Sequence, residues 1–207
     1  LWLPQSFRPQ ERFVNVVGNG KSFSMYPTGG KGNLFGYFVM SAPPDANDPV
    51  EQRIENLKEH FNDMDYLVPE VLHHLPNDPN SIYHHDHEQV DVDEWYTGRV
   101  CLLGDAAHAI SPVLGMGAPL ALEDAYVLAE EIDTSDTIQE ALVTYEDRRH
   151  ERVRRVQRRS NVVDSVIGTE LPHWLYTIRN TAMRFFAERI YCSFQRKNQA
   201  ESAIDLM

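Results

Sequence analysis

The chain has 207 residues, of which 42% are hydrophobic, and its 31 acidic and 19 basic residues give a formal net charge of −12 at pH 7. This composition is typical of a folded globular protein, and the negative charge disfavours nucleic acids and anionic membranes as partners. The two cysteines form neither a disulfide framework nor a zinc-binding spacing, which favours a reducing, cytoplasmic setting. No apolar stretch of about eighteen residues predicts a membrane span.

The first half of the chain is predicted to contain an antiparallel meander followed by two helices. β-branched and aromatic residues mark three strands, at 13–17, 21–26 and 33–40. Glycine-rich turns separate them, at 18–20 and 29–32. Hydrophobic periodicity then predicts helices over 50–61 and 65–75, with a possible strand at 82–85.

The middle of the chain carries a strand–loop–helix pattern. A short apolar run at 99–103 leads into Gly104-Asp105-Ala106-Ala107-His108, then Pro112 and Gly115-Met116-Gly117-Ala118, and a helical run at 118–132. A carboxylate at the end of a strand can accept hydrogen bonds from sugar hydroxyls. The positive end of a helix favours negative charge. The pattern therefore predicts a ligand with a polyol at one end and an electron-rich ring at the other.

The stretch 99–132 resembles the second flavin-binding motif of FAD-dependent aromatic-ring monooxygenases, the salicylate-hydroxylase-like group. The flanking residues agree with this resemblance: Tyr145-Glu146 with Arg149 is similar to a helix of that family, and 35–39 is similar to its substrate-domain sheet. The resemblance implies FAD as cofactor and NAD(P)H as reductant. It also implies insertion of one oxygen atom from O2 into a small aromatic substrate through a flavin C4a-hydroperoxide.

The resemblance implies an α+β fold with an antiparallel substrate-domain sheet, a strand–loop–helix FAD half-site and C-terminal helices. A Gly-x-Gly-x-x-Gly loop between a strand and a helix, which normally holds the FAD pyrophosphate, does not occur in the sequence. We therefore expect a fragment of a two-domain flavoprotein that lacks the N-terminal Rossmann unit. The expected divisions are a substrate-binding part at 1–95, the FAD motif at 96–133 and the helices at 134–207.

The resemblance assigns cofactor contacts to Gly104, Asp105, Ala106, Pro112, Gly115, Met116, Gly117 and Ala118. The Asp105 carboxylate is expected to accept from a ribityl or ribose hydroxyl, and the glycines to let backbone approach the ring closely. Pro119 stands where the family commonly has asparagine. Because it has no N–H to donate, that bond is expected from Ala118 or a neighbour. The resemblance implies a substrate pocket over the flavin, with the meander as its floor and Tyr26, Tyr37 and Met40 in its lining.

Several residues have two interpretations, and no catalytic residue is assigned. His108 reads as a catalytic base or as a packing residue behind the loop, and we favour packing. The arginine-rich run 148–159 reads as a nucleic-acid surface or as internal salt bridges, and we favour salt bridges. The histidines at 84–87 could suggest a metal, but adjacent histidines of a strand point to opposite faces, so no metal site is expected.

Two other functions stay open at this point. One is a flavin-dependent reductase or dehydrogenase of the same superfamily. The other is a non-enzymatic domain that binds a partner through its helical half. A homodimer contact through the amphipathic segment 172–190 is the second interpretation of that segment, after core packing.

Overall fold

The computed structural model describes residues 13–27, 34–43 and 48–200 and divides into two compact units. The first unit contains the described residues up to 85 together with 166–180, and the second contains 86–165 and 181–200. Small antiparallel sheets and several helices confirm the α+β class. The predicted turn at 29–32 lies outside the described residues.

The meander predicted for the first unit is confirmed. Its three strands are β1 (Val14–Val17), β2 (Lys21–Pro27) and β3 (Leu34–Met40), which pair antiparallel in the order β1-β2-β3. Because side chains alternate along a strand, one face of this sheet is apolar and packs on the helices that follow.

The core of the first unit lies between this sheet and two helices, α1 (Arg53–Phe61) and α2 (Val68–His73). The ring of Phe38 lies 4.6 Å from that of Phe23 on the neighbouring strand and 4.8 Å from that of Phe61, measured between centroids. The buried members of this cluster are Phe23, Met25, Phe61, Met64, Val68, Val71 and Leu72. A 3-10 turn at Val50–Gln52 precedes α1, so the predicted helix at 50–61 is confirmed.

Two predictions in this region differ from the structure. The predicted helix at 65–75 is shorter, since α2 ends at His73. The predicted strand at 82–85 is wrong, because this segment has no regular secondary structure. Its polar groups are bonded by side chains instead: Arg53 donates to the carbonyl of Ile82 at 3.0 Å, and the His84 ring contacts Asp48 at 2.9 Å.

The second unit begins with a short hairpin and continues in helices. The hairpin pairs β4 (Tyr96–Thr97) with β5 (Val100–Cys101), so the strand predicted at 99–103 is shorter than expected. The helices that follow are α3 (Asp105–His108), α4 (Gly117–Thr134), α5 (Ile138–Gly168) and α6 (His173–Ala200).

The start of α5 is capped by the side chain of Thr137. Its hydroxyl accepts from the Glu140 amide at 3.2 Å. Thr134, three residues earlier, is the last residue of α4. Within the described residues, no helix has the length and apolar character needed to cross a membrane.

Asn19 provides a test of how the first unit is held together. Its side chain bonds Leu171 twice, donating from Nδ2 to the carbonyl at 2.9 Å and accepting at Oδ1 from the amide at 2.8 Å. N19A is expected to lower the free energy of unfolding by about 1–3 kcal/mol because both Leu171 groups lose their partner. It should also expose the Leu171 amide to hydrogen exchange. N19D keeps the acceptor and should preserve protection of that amide; equal exchange in both variants would contradict this role.

Candidate functional site

The Gly104–Asp105 turn follows β5 and can be made only with glycine at its first position. Gly104 has φ +58°, a conformation that side chains rarely adopt, and a Cβ there would lie 3.1 Å from the Cβ of Ala121. Gly104 is buried while Asp105 is exposed. The turn therefore sets the backbone against α4 and directs the next carboxylate outward.

The second part of the candidate site is the start of α4. Gly115 has φ +63° and no atom within 4 Å of a Cβ placed on it, and a Cβ on Gly117 would meet only Asp105 Oδ1, at 3.9 Å. The Met116 side chain does not cap the helix. The α4 N-terminus thus presents bare backbone beside the Asp105 carboxylate, with open space over both glycines.

The predicted cofactor-contacting residues divide into exposed and buried ones. Asp105, Ala106, Pro112, Gly115 and Ala118 are exposed and Gly117 is half-buried, whereas Gly104 and Met116 are buried. The Met116 side chain belongs to the apolar core of the second unit. Only its backbone therefore lies at the candidate site.

A buried ionic network holds the turn in place, and its centre is Asp124 on α4. Asp124 Oδ2 accepts from the Gly104 amide at 3.1 Å and contacts His108 Nε2 at 2.5 Å, while Oδ1 accepts from Arg149 Nε at 2.7 Å. Burial raises the pKa of Asp124, but the hydrogen bonds from His108 and Arg149 and the positive charge of Arg149 outweigh it and hold the pKa below 3.8. Asp124 is therefore an ionised acceptor that joins the turn to two helices.

Arg149 extends the network along α4. It donates to Glu123 at 2.7 Å and to the Leu120 carbonyl at 3.3 Å, and Arg152 bonds the other oxygen of Glu123 at 3.2 Å. Both guanidinium groups and both carboxylates are buried. Two positive charges thus balance two negative ones, as buried ion pairs require.

The other two residues of the family-like helix, Tyr145 and Glu146, bond the residues that flank the hairpin strands. The Tyr145 hydroxyl donates to the Leu102 carbonyl at 3.2 Å, and Glu146 accepts from the Trp95 amide at 2.6 Å. Burial and the charge of Asp124 raise the pKa of Tyr145 far above its usual value, so the phenol keeps its proton. Tyr145, Glu146 and Arg149 therefore position the turn without being exposed at it.

The loop that carries Pro112 is attached to the far end of α5. Ser111 accepts at its hydroxyl from the Val113 amide at 3.4 Å, and its carbonyl accepts from the Ser160 hydroxyl at 3.3 Å. The Ser111 side chain also bonds Asp164, whose pKa is raised by burial, with the Ser111 bond and the charge of His87 acting against that rise. Sequence reasoning missed Asp124 and Asp164; the only sequence signal for Asp124 was its place on the apolar side of α4.

The structure shows the surroundings of the charged residues that have two interpretations in the sequence. His108 is 1% exposed and bonded to Asp124, which supports the packing interpretation. Arg149 and Arg152 form internal salt bridges, and half-buried Arg154 pairs with Asp93 at 2.6 Å. In the part of the chain that the structure describes, no group of three or more His, Cys, Asp or Glu side chains is arranged to hold a metal.

The structure brings only two of the three predicted pocket residues together. The rings of Tyr26 and Tyr37 lie 6.3 Å apart, and Phe35 completes the group at 5.3 Å from Tyr26 and 6.2 Å from Tyr37. Met40 pairs with Lys21 and lies on the same sheet face as Phe38. Tyr37 lies on the other face, because residues an odd number of positions apart in a strand point to opposite faces. Phe35 was missed by sequence reasoning. The available signal was its spacing of two residues from Tyr37, which places both side chains on the same face of a strand.

Comparison with known proteins identifies the family. Residues 4–160 match the family described as FAD binding domain, and the chain belongs to this family. Its cofactor is therefore FAD, as the sequence predicted.

Relatives of known activity match over much of this chain. The chain is 34% identical over 186 residues to 2-heptyl-3-hydroxy-4(1H)-quinolone synthase of Pseudomonas aeruginosa, covering 89% of this chain and 48% of that protein. It is 31% identical over 153 residues to FAD-dependent urate hydroxylase of Klebsiella pneumoniae, covering 73% of this chain and 39% of that protein. The chain thus spans about half the length or less of the curated relatives it matches.

A solved structure shares the fold. The crystal structure of Klebsiella pneumoniae HpxO complexed with FAD and uric acid superposes with a TM-score of 0.83 at 23% identity, covering 98% of this chain and 51% of the other. At this identity the likeness establishes the fold.

The carboxyl groups of buried Asp124 and half-buried Asp164 are expected to respond oppositely to acid. Asp124 has a lowered pKa, so its charge contributes stability above pH 3.8 that is lost as the pH falls. D124N should cost about 3–5 kcal/mol at pH 7, the typical loss when one partner of a buried ion pair is removed, and this loss should shrink in acid. Urea denaturation between pH 3 and pH 7 measures it.

Asp164 has a raised pKa, so its charge costs stability at neutral pH and protonation relieves that cost. D164N is the matched variant. It should equal or exceed the wild type in free energy of unfolding at pH 7, and the difference should disappear in acid. A loss at pH 7 similar to that of D124N would contradict the opposite signs.

Proposed function

We propose that the chain forms the part of an FAD site that holds the flavin ring and its ribityl chain. The parent activity would be an NAD(P)H-dependent monooxygenase that uses O2 to insert one oxygen atom into a small aromatic substrate. The observation that carries the proposal is the outward carboxylate of Asp105 beside the bare backbone of Gly115 and Gly117. Family membership supports it independently.

The residues present fit the two chemical ends of a flavin. The exposed Asp105 carboxylate offers acceptor oxygens for the hydroxyls of a ribityl or ribose group. The N–H groups of Gly117 and Ala118 lie in the first turn of an eighteen-residue helix, whose positive end suits an electron-rich ring edge. A side chain on Gly117 would fill the space in which such a ring must approach.

The work of the chain in this reaction would be positioning and electrostatics. FAD held by these residues would supply the redox chemistry of the monooxygenase. The first turn of α4 would stabilise negative charge on the reduced ring, because its N–H groups are fixed in place before the reaction. Ala106, Pro112, Gly115 and the Met116 backbone would shape the surface against which the ring lies.

The substrate is proposed to be a small planar heteroaromatic compound. The names of two relatives include a 4-quinolone and urate, both of this chemical type. The exposed ring surface formed by Tyr26, Phe35 and Tyr37 suits stacking on a planar molecule. Met40, on the other sheet face, is left out of this surface.

We also propose that the FAD site is shared with sequence beyond this chain. The sequence contains no Gly-x-Gly-x-x-Gly loop between a strand and a helix for the pyrophosphate, and the relatives are about twice as long. In this proposal 1–95 contributes to the substrate-binding part, 96–133 is the FAD motif and 134–207 forms supporting helices.

Replacing Asp105 tests the proposed ribityl contact. D105A should weaken FAD binding by the natural full-length protein by about tenfold or more, since hydrogen bonds to a charged group contribute about 1.5–3 kcal/mol. Thermal stability should change little, because the side chain is exposed. D133A, which removes an exposed carboxylate near the other end of α4, is the control and should bind FAD like the wild type. Equal FAD affinity of the wild type, D105A and D133A would contradict the assignment of Asp105 to the flavin contact.

Adding one methyl group at Gly117 separates binding from folding. G117A places a Cβ in open space at the first residue of α4, so stability should stay the same or rise slightly. Flavin binding should weaken by about tenfold if the ring approaches this backbone, which is of the order expected for overpacking. Fluorescence titration with FAD and thermal melting measure the two effects. An alanine variant that binds FAD with unchanged affinity would exclude close approach at Gly117.

A further inference from the structure

The imidazole of His108 is a buried part of the ionic network in the second unit. It is 1% exposed, and its Nε2 lies 2.5 Å from Asp124 Oδ2. Its other nitrogen, Nδ1, is buried and has no hydrogen-bond partner among the described residues. The ring plane is tilted by 36° to that of Trp95, with centroids 5.2 Å apart.

These contacts determine which nitrogen carries the proton. Asp124 is a carboxylate and can only accept, so Nε2 must be the N–H donor. A second proton on Nδ1 would bury an N–H without an acceptor, and orphaned buried N–H groups are rarer in proteins than unpaired acceptors. The ring is therefore the neutral Nε2–H form.

The charges around Asp124 also favour the neutral form of the His108 ring. The buried carboxylates of Glu123 and Asp124 are already balanced by the guanidinium groups of Arg149 and Arg152. An imidazolium at His108 would add one uncompensated positive charge to this buried cluster. Neutral His108 leaves the cluster balanced.

The same Asp124 oxygen accepts from both ends of one short turn. Oδ2 takes the Gly104 amide and the His108 ring, and the Gly104 carbonyl in turn accepts from the His108 amide at 2.9 Å. Asp105 lies between these two fixed points. Its exposed carboxylate has no side-chain bond of its own within the described residues, so the orientation of the turn determines where it points.

We propose that His108 is a positioning residue for FAD: as a neutral Nε2–H donor to Asp124, it locks the Gly104–His108 turn and so sets the direction of Asp105. The inference rests on the proposed flavin function for its consequence, but the locking itself needs no ligand. His108 touches no reacting atom in this arrangement and acts only through Asp124 and Asp105.

The tautomer can be tested directly in the natural full-length protein without adding FAD. Long-range ¹H–¹⁵N spectra of the histidine rings at pH 7 should show His108 protonated at Nε2 only. The Nε2 proton should be strongly downfield because of its short bond to a carboxylate. A ring protonated at Nδ1, or at both nitrogens, would overturn the inference even if every variant failed to fold.

Variants then test the locking. H108Q can place an amide N–H near the former Nε2 and should keep hydrogen-exchange protection of the Gly104 amide, with FAD affinity within about threefold of wild type. H108L removes the donor and should reduce both the protection and the FAD affinity by about tenfold. H150Q is the matched control, because His150 also contacts the Trp95 ring, at 5.5 Å, but does not bond Asp124.

The outcomes separate this inference from the proposed function. If H108L matches the wild type in exchange and affinity, or if H108Q is as impaired as H108L, the positioning role is wrong. If D105A leaves FAD affinity unchanged while H108L loses Gly104 protection and H108Q keeps it, the turn is locked as inferred. In that last case, the flavin contact of Asp105 is the part that fails.

Discussion

The structure of the second unit depends on one buried carboxylate. Asp124 is fully buried and ionised, and such a charge is tolerated inside a protein only when donors surround it. Its donors come from two segments: the Gly104–His108 turn supplies the Gly104 amide and the His108 ring, and α5 supplies the Arg149 side chain. Loss of any one donor leaves the buried carboxylate with one hydrogen bond fewer. Asp124 on α4 therefore links the turn and α5 to one another.

The bond from the Gly104 amide to Asp124 gives the buried ionic network a role that hydrophobic residues in its place could not fill. Replacing buried ion pairs with hydrophobic residues is often neutral or stabilising, so stability alone does not account for the network. Apolar side chains cannot bond a backbone N–H, however, and Gly104 has its amide pointing into the core. The ionic network fixes the direction of one turn, and that turn carries the exposed carboxylate proposed to contact FAD. The buried charges thus contribute the orientation of the Gly104 turn.

The sequence predicted the helices, the strands and the exposed glycine-rich motif better than it predicted the buried polar residues that hold this motif in place. The meander, α4 and the Gly104–Asp105 turn follow from local patterns of glycine, apolar and aromatic residues. The buried role of Asp124 was not predicted from these patterns, because an aspartate inside a helix usually faces solvent. Its spacing from Leu120 and Val127, four and three residues, places it on the buried stripe, and this periodicity was the available signal. The wrong strand at 82–85 has a related cause: side-chain bonds to Arg53 and Asp48 replaced strand pairing, and no local pattern encodes them.

The two loops of the candidate site are anchored by opposite kinds of chemistry. The Gly104 turn depends on paired charges around Asp124, which burial makes strong and which salt screens little. The Pro112 loop depends on Ser111, which is bonded by the Ser160 hydroxyl and by Asp164, a carboxyl group that burial pushes toward its neutral form. Acid therefore weakens the first anchor and relieves the second. The carboxylate side of the site requires ionised neighbours, whereas the loop beside the α4 N-terminus does not. Because the two anchors share no residue, the position of Asp105 and the backbone that it faces can be perturbed separately.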